Sequence, residues 1–194
     1  MIEYGPPTAL IVVDVQNDFA DPKGSLYVQG GEQVVPVANR EVERARAAGS
    51  PVFYTQDWHP PDTPHFQKDG GIWPVHCVKE TWGAEFHPDL KVEGEVIRKG
   101  AEGEDGYSGF SVRDPVSGAA EETALGARLR ALGVRRLVVI GLAGDYCVGA
   151  TAKDGRAKGW PVTVLREGVR FVELNQGDTE RTWRELDAAG VEAV

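Results

Sequence analysis

Short apolar runs alternate with stretches of helical periodicity along most of the chain. This alternation is typical of repeated βα units, in which parallel strands are joined by crossover helices. We therefore expect an α/β fold: a three-layer, Rossmann-like sandwich in which a mostly parallel sheet of about six strands is flanked by helices. The predicted strands are residues 8–13, 52–55, 96–99, 137–141, 161–165 and, at an edge, 190–194, and the predicted helices are 33–48, 117–132, 145–158 and 179–189.

Residues 57–95 interrupt this alternation. They contain three tryptophans and all four histidines of the chain, among prolines and paired glycines. A loop of this length in a compact domain is usually functional or disordered, and its aromatic and imidazole side chains favour an ordered functional loop. Since no change of composition divides the chain elsewhere, we predict a single domain over residues 1–194.

The charge balance and the cysteine content narrow the class of protein. Lys and Arg number 21 and Asp and Glu 30, which gives a formal charge of −9. This acidity argues against nucleic-acid binding and against adhesion to anionic membranes. The 2 cysteines are fewer than a secreted disulfide scaffold usually carries, and the first residues lack the basic and apolar regions of a signal peptide. We expect a cytoplasmic protein that acts on a small molecule, and the sequence leaves homo-oligomerisation open.

Reactive side chains stand at the downstream ends of four predicted strands. Asp14 follows the first strand, Asp57 and His59 follow the second, Lys99 ends the third, and Cys147 comes after the fourth. In open parallel sheets, ligands bind in the crevice outside the carboxyl ends of the strands. We therefore expect these residues to assemble into one active site.

Cys147 lies between a predicted strand and a predicted helix. Free backbone N–H groups at such a position lower a thiol pKa and can bind an oxyanion, which favours a nucleophile over a cysteine that merely fills an apolar hole. No histidine follows His87, so the candidates for the base are Asp14 and Lys99, a carboxylate beside an ammonium. The alternatives for these two are a turn aspartate and a solvated surface lysine.

A second group of residues has the composition of a metal site. Asp57 and His59 are alternate residues, so both can face one side of an extended segment, and His65 and His76 follow in the long loop. Carboxylate and imidazole ligands together suit zinc, iron or manganese. The alternative is that the loop histidines are exposed and bind no metal.

Five segments form a specific combination that is spread over most of the chain. They are residues 10–19 (LIVVDVQNDF), 56–60 (QDWHP), 73–78 (WPVHCV), 99–100 with 107–110 (KG and YSGF), and 141–148 (GLAGDYCV). Together they resemble the nicotinamidase (pyrazinamidase) family within the isochorismatase-like cysteine hydrolases. The combination is highly specific, whereas any one segment alone is weak evidence.

The resemblance implies a division of labour among the reactive residues. It implies a catalytic triad of Asp14, Lys99 and Cys147. It also implies a cis peptide bond between Leu142 and Ala143, and an oxyanion hole formed by the amides of Ala143 and Cys147.

The resemblance further implies one divalent metal ion, with zinc expected first and iron or manganese as alternatives. Its implied ligands are Asp57, His59 and His76. His65 matches a histidine found in some members only, so its role as a ligand is left open.

The sequence differs from the family pattern near the pocket for the substrate ring. Tyr146 stands where histidine is frequent, and Gly144 stands where threonine or serine is common. These differences concern the pocket rather than the type of reaction. The residues expected to line the pocket are Phe19, Trp73, Tyr107 and Leu142.

The implied activity is the metal-dependent hydrolysis of nicotinamide to nicotinate and ammonia through a cysteine thioester, a step of NAD salvage. Pyrazinamide is expected as a second substrate. One alternative is another cysteine amidase of the same superfamily that acts on a different small amide or carbamoyl substrate. A second alternative is a non-catalytic metal- or ligand-binding module or a redox thiol protein, against which the presence of both Lys99 and Cys147 argues.

Overall fold

Strands and helices alternate in the computed structural model, which describes residues 2–194. The predicted α/β fold, with a parallel sheet flanked by helices, is confirmed. The strands are β1 (Thr8–Val13), β2 (Val52–Asp57), β3 (Glu95–Lys99), β4 (Ser111–Arg113), β5 (Ala120–Glu122), β6 (Arg136–Gly141), β7 (Val162–Val169) and β8 (Glu192–Ala193). The α-helices are α1 (Asn17–Ala20), α2 (Val34–Ala47), α3 (Ala124–Ala131), α4 (Gly149–Ala157) and α5 (Asp178–Ala188). Single 3₁₀ turns lie at Gly31–Gln33, Gln67–Asp69 and Trp82–Ala84, and a π-helical turn lies at Gly144–Val148. Within residues 2–194, no helix combines the length and the apolar character that crossing a membrane requires.

The main sheet has the strand order β3-β2-β1-β6-β7-β8, and all of its pairings are parallel. Every residue of β1 is buried, as expected for a central strand that is covered on both faces. The order reverses beside β1, because β2 and β3 lie on one side of it and β6 to β8 on the other. The crevice between β1 and β6 is therefore the switch point at which ligands bind in sheets of this type.

The central strands divide their side chains between two apolar cores, one on each face of the sheet. Leu10 and Val12 belong to the core on the α2 side, whereas Ile11 and Val13 belong to the core beneath α3, α4 and α5. This division follows from the two-residue period of a strand. The sandwich therefore has three layers, with the reactive strand ends along one edge of the middle layer.

One predicted helix is shorter than the sequence suggests. A helix is expected over 117–132, but α3 begins only at Ala124, because the preceding residues form an antiparallel hairpin of β4 and β5. Gly118 has a φ of +72°, and the Asp114 carboxylate accepts two backbone amides in the turn, a typical role of aspartate. The Thr123 hydroxyl then accepts a backbone amide of the first helical turn and so fixes where α3 begins.

Candidate active site

The carboxyl ends of four adjacent strands bring the predicted reactive residues together. Asp14 directly follows β1, Asp57 is the last residue of β2, and Lys99 is the last residue of β3. Cys147 lies in the π-helical turn after β6. The crevice at the switch point therefore holds a carboxylate pair, an ammonium and a thiol, all of them buried.

Lys99 lies at the centre of the predicted triad. Its Nζ atom is 2.8 Å from Asp14 Oδ2 and 3.6 Å from Cys147 Sγ. The other Asp14 oxygen, Oδ1, accepts a hydrogen bond of 2.6 Å from the Thr55 hydroxyl. Asp14 Oδ2 pairs with the Lys99 ammonium by charge, and this buried oxygen accepts no hydrogen bond among residues 2–194. A carboxylate oxygen of Asp14 lies within 4.8 Å of the Cys147 sulfur, which makes Asp14 a candidate base for the thiol.

Burial and charge oppose each other in this cluster. Burial raises the pKa of the Cys147 thiol well above its ordinary value, with Lys99 acting in the opposite direction, so the thiol needs a base. Burial also raises the pKa of Asp14, again opposed by Lys99. For Lys99, burial lowers the pKa but the two carboxylates outweigh it and hold it well above its usual value. The lysine therefore stays charged and orders the carboxylate and the thiol around it.

The backbone next to Cys147 offers an unpaired amide to a substrate. The Leu142–Ala143 peptide bond is cis, as the resemblance implies. Among residues 2–194, no backbone carbonyl accepts a hydrogen bond from the Ala143 amide, and both Ala143 and Cys147 line the same pocket. Such amides can hold the oxyanion of an acyl-transfer reaction.

Three histidines form a second cluster next to the first. The ring nitrogens of His59, His65 and His76 lie within 4.8 Å of one another, and all three side chains are buried. The Nε2 atom of His59 is 3.8 Å from Asp57 Oδ2. Asp57 thus belongs to both clusters, because its other oxygen, Oδ1, pairs with Lys99.

The histidine cluster has the donor set of a divalent metal site. Both ring nitrogens of His59 are buried and lack a hydrogen-bond partner among residues 2–194, which is costly unless a ligand satisfies them. Burial lowers the pKa of His76 to about 4, so this imidazole is neutral and can donate its lone pair. The donor atoms of the three rings lie within 4.8 Å of one another, so they can converge on one ion, since zinc–nitrogen bonds are about 2.0–2.1 Å. The residues present therefore fit the metal that the resemblance implies.

His65, whose role as a ligand the sequence left open, lies within the histidine cluster. Its Nδ1 atom is 2.7 Å from Asp105 Oδ1, and the Nδ1 atom of His76 is 2.7 Å from the Pro74 carbonyl oxygen. In each ring the Nε2 atom is left for a ligand. Cys77, the neighbour of His76, is buried in the core on the α2 side and lies outside the cluster.

Sequence reasoning missed the residue that fixes Asp57 in place. The buried Gln16 side chain donates from Nε2 to the Asp57 carbonyl at 2.7 Å and accepts the Asp57 amide at 2.8 Å. The polar Gln16, two residues after Asp14 at the end of an apolar run, was a signal that could have found it, because a buried amide needs partners for all its polar atoms.

An aromatic pocket adjoins both clusters. Of the residues predicted to line it, Phe19, Trp73 and Tyr107 do so, and the Trp73 Nε1–H donates to the Tyr107 hydroxyl at 3.1 Å. Tyr146 also lines the pocket. Its ring meets that of Trp73 edge-on, with 4.8 Å between the ring centroids. Cys147 opens into the same space.

Leu142 was predicted to line this pocket, and the structure corrects that prediction. Its side chain is fully buried in the core on the α2 side, because it continues the alternation of Val138 and Ile140 in β6.

Gly144, which stands where the family commonly has threonine or serine, is required by its surroundings: a Cβ there would lie 2.4 Å from the Phe171 ring. The aromatic packing against this turn thus requires glycine.

Known proteins resemble this chain over nearly its whole length. The sequence profile of the Isochorismatase domain matches residues 8–193. The nicotinamidase of Escherichia coli (strain K12) is 36% identical over 203 residues, which cover 95% of this chain and 93% of that protein. The crystal structure of the pyrazinamidase of Pyrococcus horikoshii in complex with zinc has a TM-score of 0.87 and 38% identity, and covers 97% of this chain and 99% of its own. The structure of PnC1 from L. infantum in complex with nicotinate has a TM-score of 0.89 and 35% identity, and covers 100% of this chain and 95% of its own.

Proposed function

Since the chain belongs to the isochorismatase family, we propose that it is an amidase that hydrolyses nicotinamide to nicotinate and ammonia, a step of NAD salvage, and that it also accepts pyrazinamide. The observation that carries the proposal is the contact of Lys99 with both Asp14 and Cys147 at the wall of an aromatic pocket that also borders the histidine cluster. The pocket suits a flat ring, and the triad suits attack on an amide attached to it.

The covalent steps follow from the positions of the triad atoms. Asp14 takes the thiol proton, and the Cys147 sulfur attacks the amide carbon. The amides of Ala143 and Cys147 hold the developing oxyanion, and one such donor contributes about 3 kcal/mol. Asp14 then gives its proton to the departing ammonia, which leaves a thioester. Water adds to the thioester, with Asp14 accepting a proton again, and the acid and the free thiol are released.

Asp57, His59, His65 and His76 would hold the divalent ion, for which we propose zinc, with iron or manganese as alternatives. A metal bound there supplies a Lewis-acidic position that orients the ring nitrogen of the substrate. Gln16 holds the Asp57 backbone through its carbonyl and amide, and Lys99 donates a hydrogen bond to the Asp57 carboxylate. The protein's partner is thus a small aryl amide, and we propose that it acts in the cytoplasm, in keeping with its two unpaired cysteines.

The proposal is tested by ammonia release from the zinc-loaded protein. Nicotinamide and pyrazinamide should be hydrolysed, and benzamide, which has the ring but no ring nitrogen, should be a much poorer substrate. The variant Cys147→Ala should release no ammonia and keep its fold, whereas Cys77→Ala, the matched change in the other buried cysteine, should retain turnover. Full activity of Cys147→Ala would overturn the mechanism.

The remaining rival is a cysteine amidase of the same family with a different substrate. The same assay separates the two, because a carbamoyl amide without a ring would then be hydrolysed in preference to nicotinamide. The aromatic side chains of Trp73, Tyr107 and Tyr146 around the pocket favour the aryl amide.

A further inference from the structure

Asp105 contacts the histidine cluster from a part of the chain that the catalytic scheme does not use. It lies in the glycine-rich segment between β3 and β4. Its Oδ1 atom is 2.7 Å from His65 Nδ1, and His65 itself is buried. The contact joins residues 40 positions apart in the sequence.

The backbone holds the Asp105 carboxylate in this position. Its amide donates to the Arg113 carbonyl at 2.7 Å, and the Arg113 amide donates to the Asp105 carbonyl at 2.6 Å. The Gly106 amide also donates to Asp105 Oδ1, at 2.8 Å. The β4–β5 hairpin, which begins at Ser111, therefore supports the carboxylate from behind.

The identity of this partner decides the proton position on His65. A carboxylate oxygen only accepts hydrogen bonds, so the proton must reside on His65 Nδ1, and the lone pair must reside on Nε2. His59 and His76 lack a carboxylate at Nδ1: that of His76 faces a backbone carbonyl, and that of His59 has no partner among residues 2–194. Of the three rings, His65 therefore has the strongest anchor in the described chain.

We propose that Asp105 is a positioning residue that makes His65 a ligand of the divalent ion, by fixing its tautomer and its ring orientation. Carboxylate partners of ligating histidines commonly do this, and their loss lowers metal affinity about 10- to 100-fold. The inference rests on the proposed metal site. It makes the binding of the ion by His65 depend on Asp105 in the glycine-rich segment.

The test measures zinc affinity by competition with a chromophoric chelator, so that it does not depend on turnover. The variant Asp105→Ala should bind zinc about 10- to 100-fold more weakly. The variant Asp105→Asn should lose less, because the amide oxygen can still accept from His65 Nδ1. The neighbouring Glu104→Gln removes the same charge from the same segment and should leave the affinity unchanged.

A second pair of variants isolates the pathway through His65. In a His65→Ala background, which itself should bind zinc more weakly, adding Asp105→Ala should cause no further loss. An additive loss, an equal loss in Glu104→Gln, or an unchanged affinity in Asp105→Ala would each overturn the proposal. At saturating zinc, Asp105→Ala should still release ammonia from nicotinamide, so a failure here is distinguishable from a failure of the proposed function.

Discussion

Asp57 contacts both the triad, through Lys99, and the histidine cluster, through His59, but the two groups differ in what surrounds their polar atoms. In the triad, each charged group has an opposite charge beside it: Lys99 lies between two carboxylates, and Asp14 has both the lysine and a hydroxyl. In the histidine cluster, the His59 ring has no hydrogen-bond partner at either nitrogen within residues 2–194. In the first cluster every charged side chain has an opposite charge beside it within the protein, whereas both nitrogens of the His59 ring are left to a ligand.

The origin of the two clusters explains this difference. The triad residues come from the ends of β1, β3 and β6, whose spacing the sheet fixes. His65 and His76 come from the long loop, which is tied down by isolated β-bridges such as Phe66 with Trp73. We infer that the sheet preorganises the covalent chemistry and that the ion contributes to the order of the loop. Mutation of the buried charges and removal of the metal separate these two roles.

The largest expected effect comes from removing the charge at the centre of the triad. Replacing Lys99 with methionine should lower the free energy of unfolding by about 3 kcal/mol or more, because it leaves Asp14 and Asp57 buried without their counter-charge. It should also abolish ammonia release. Chemical denaturation of the metal-free protein measures the loss of stability.

A matched control uses another lysine that also pairs with a carboxylate. Lys91 forms an ion pair with Glu43, and both side chains are largely exposed, so Lys91→Met should leave stability nearly unchanged. If both changes lowered the free energy of unfolding equally, the buried carboxylates would depend on Lys99 no more than the exposed Glu43 depends on Lys91.

Metal removal should have the next largest effect and should act on the histidine cluster alone. Exhaustive chelation should abolish turnover reversibly. A ligand present at one hundred times its Kd stabilises the folded state by about 2.7 kcal/mol, so the melting temperature should rise when zinc is returned. The variant Cys147→Ala should show the same rise, because its metal site is intact. Loss of the rise in that variant would show that the clusters are not separable.

The pH profile tests the triad without changing a residue. Asp14 must be ionised to accept the thiol proton, and burial raises its pKa above 3.8, with Lys99 opposing. The inactive, protonated form accumulates as pH falls through that raised pKa. The acid limb of kcat/KM should therefore have its midpoint above 3.8, with about a tenfold loss per pH unit below it. Metal content must be followed in the same samples, and a midpoint at or below the ordinary value would contradict the base assignment.

The smallest effect is expected in the ring pocket that both clusters border. Tyr146→Ala removes the edge-on contact with Trp73, and such aromatic pairs contribute about 1 kcal/mol. The KM for nicotinamide should rise about fivefold, with kcat nearly unchanged, because the reacting atoms are not touched. Tyr146→Phe keeps the ring and should behave as the wild type in steady-state kinetics. A large fall in kcat for Tyr146→Ala would place this ring in the chemistry instead.

The sequence predicted the regular parts of the molecule better than the loop contacts. The strands that lead to Asp14 and Cys147 were predictable, because continuous apolar runs are typical of buried parallel strands. The short α3 was missed because Gly118 and Asp114 form a turn inside a segment that has helical composition. Leu142 was misplaced because a motif shows which residues are close in sequence but not to which side of the sheet they point.

The contact between His65 and Asp105 could not be predicted from the sequence for another reason. It joins two irregular segments, and neither periodicity nor turn chemistry predicts how such segments meet. The same holds for the two hydrogen bonds by which Gln16 holds Asp57. Local patterns therefore located the strand ends that carry Asp14, Lys99 and Cys147, whereas the contacts of Gln16 and Asp105 required the tertiary structure.

The position of β3 at the end of the sheet has a consequence for the behaviour of the protein at high concentration. An edge strand is a template for pairing with the sheet of another molecule, and proteins resist this with charged or very short edges. β3 directs Lys99 into the interior while Arg98 is exposed and Glu95 is half-buried, and β8, at the opposite edge, has only two residues. The charged residues of β3, the strand that also carries Lys99, thus oppose aggregation through this open edge of the sheet.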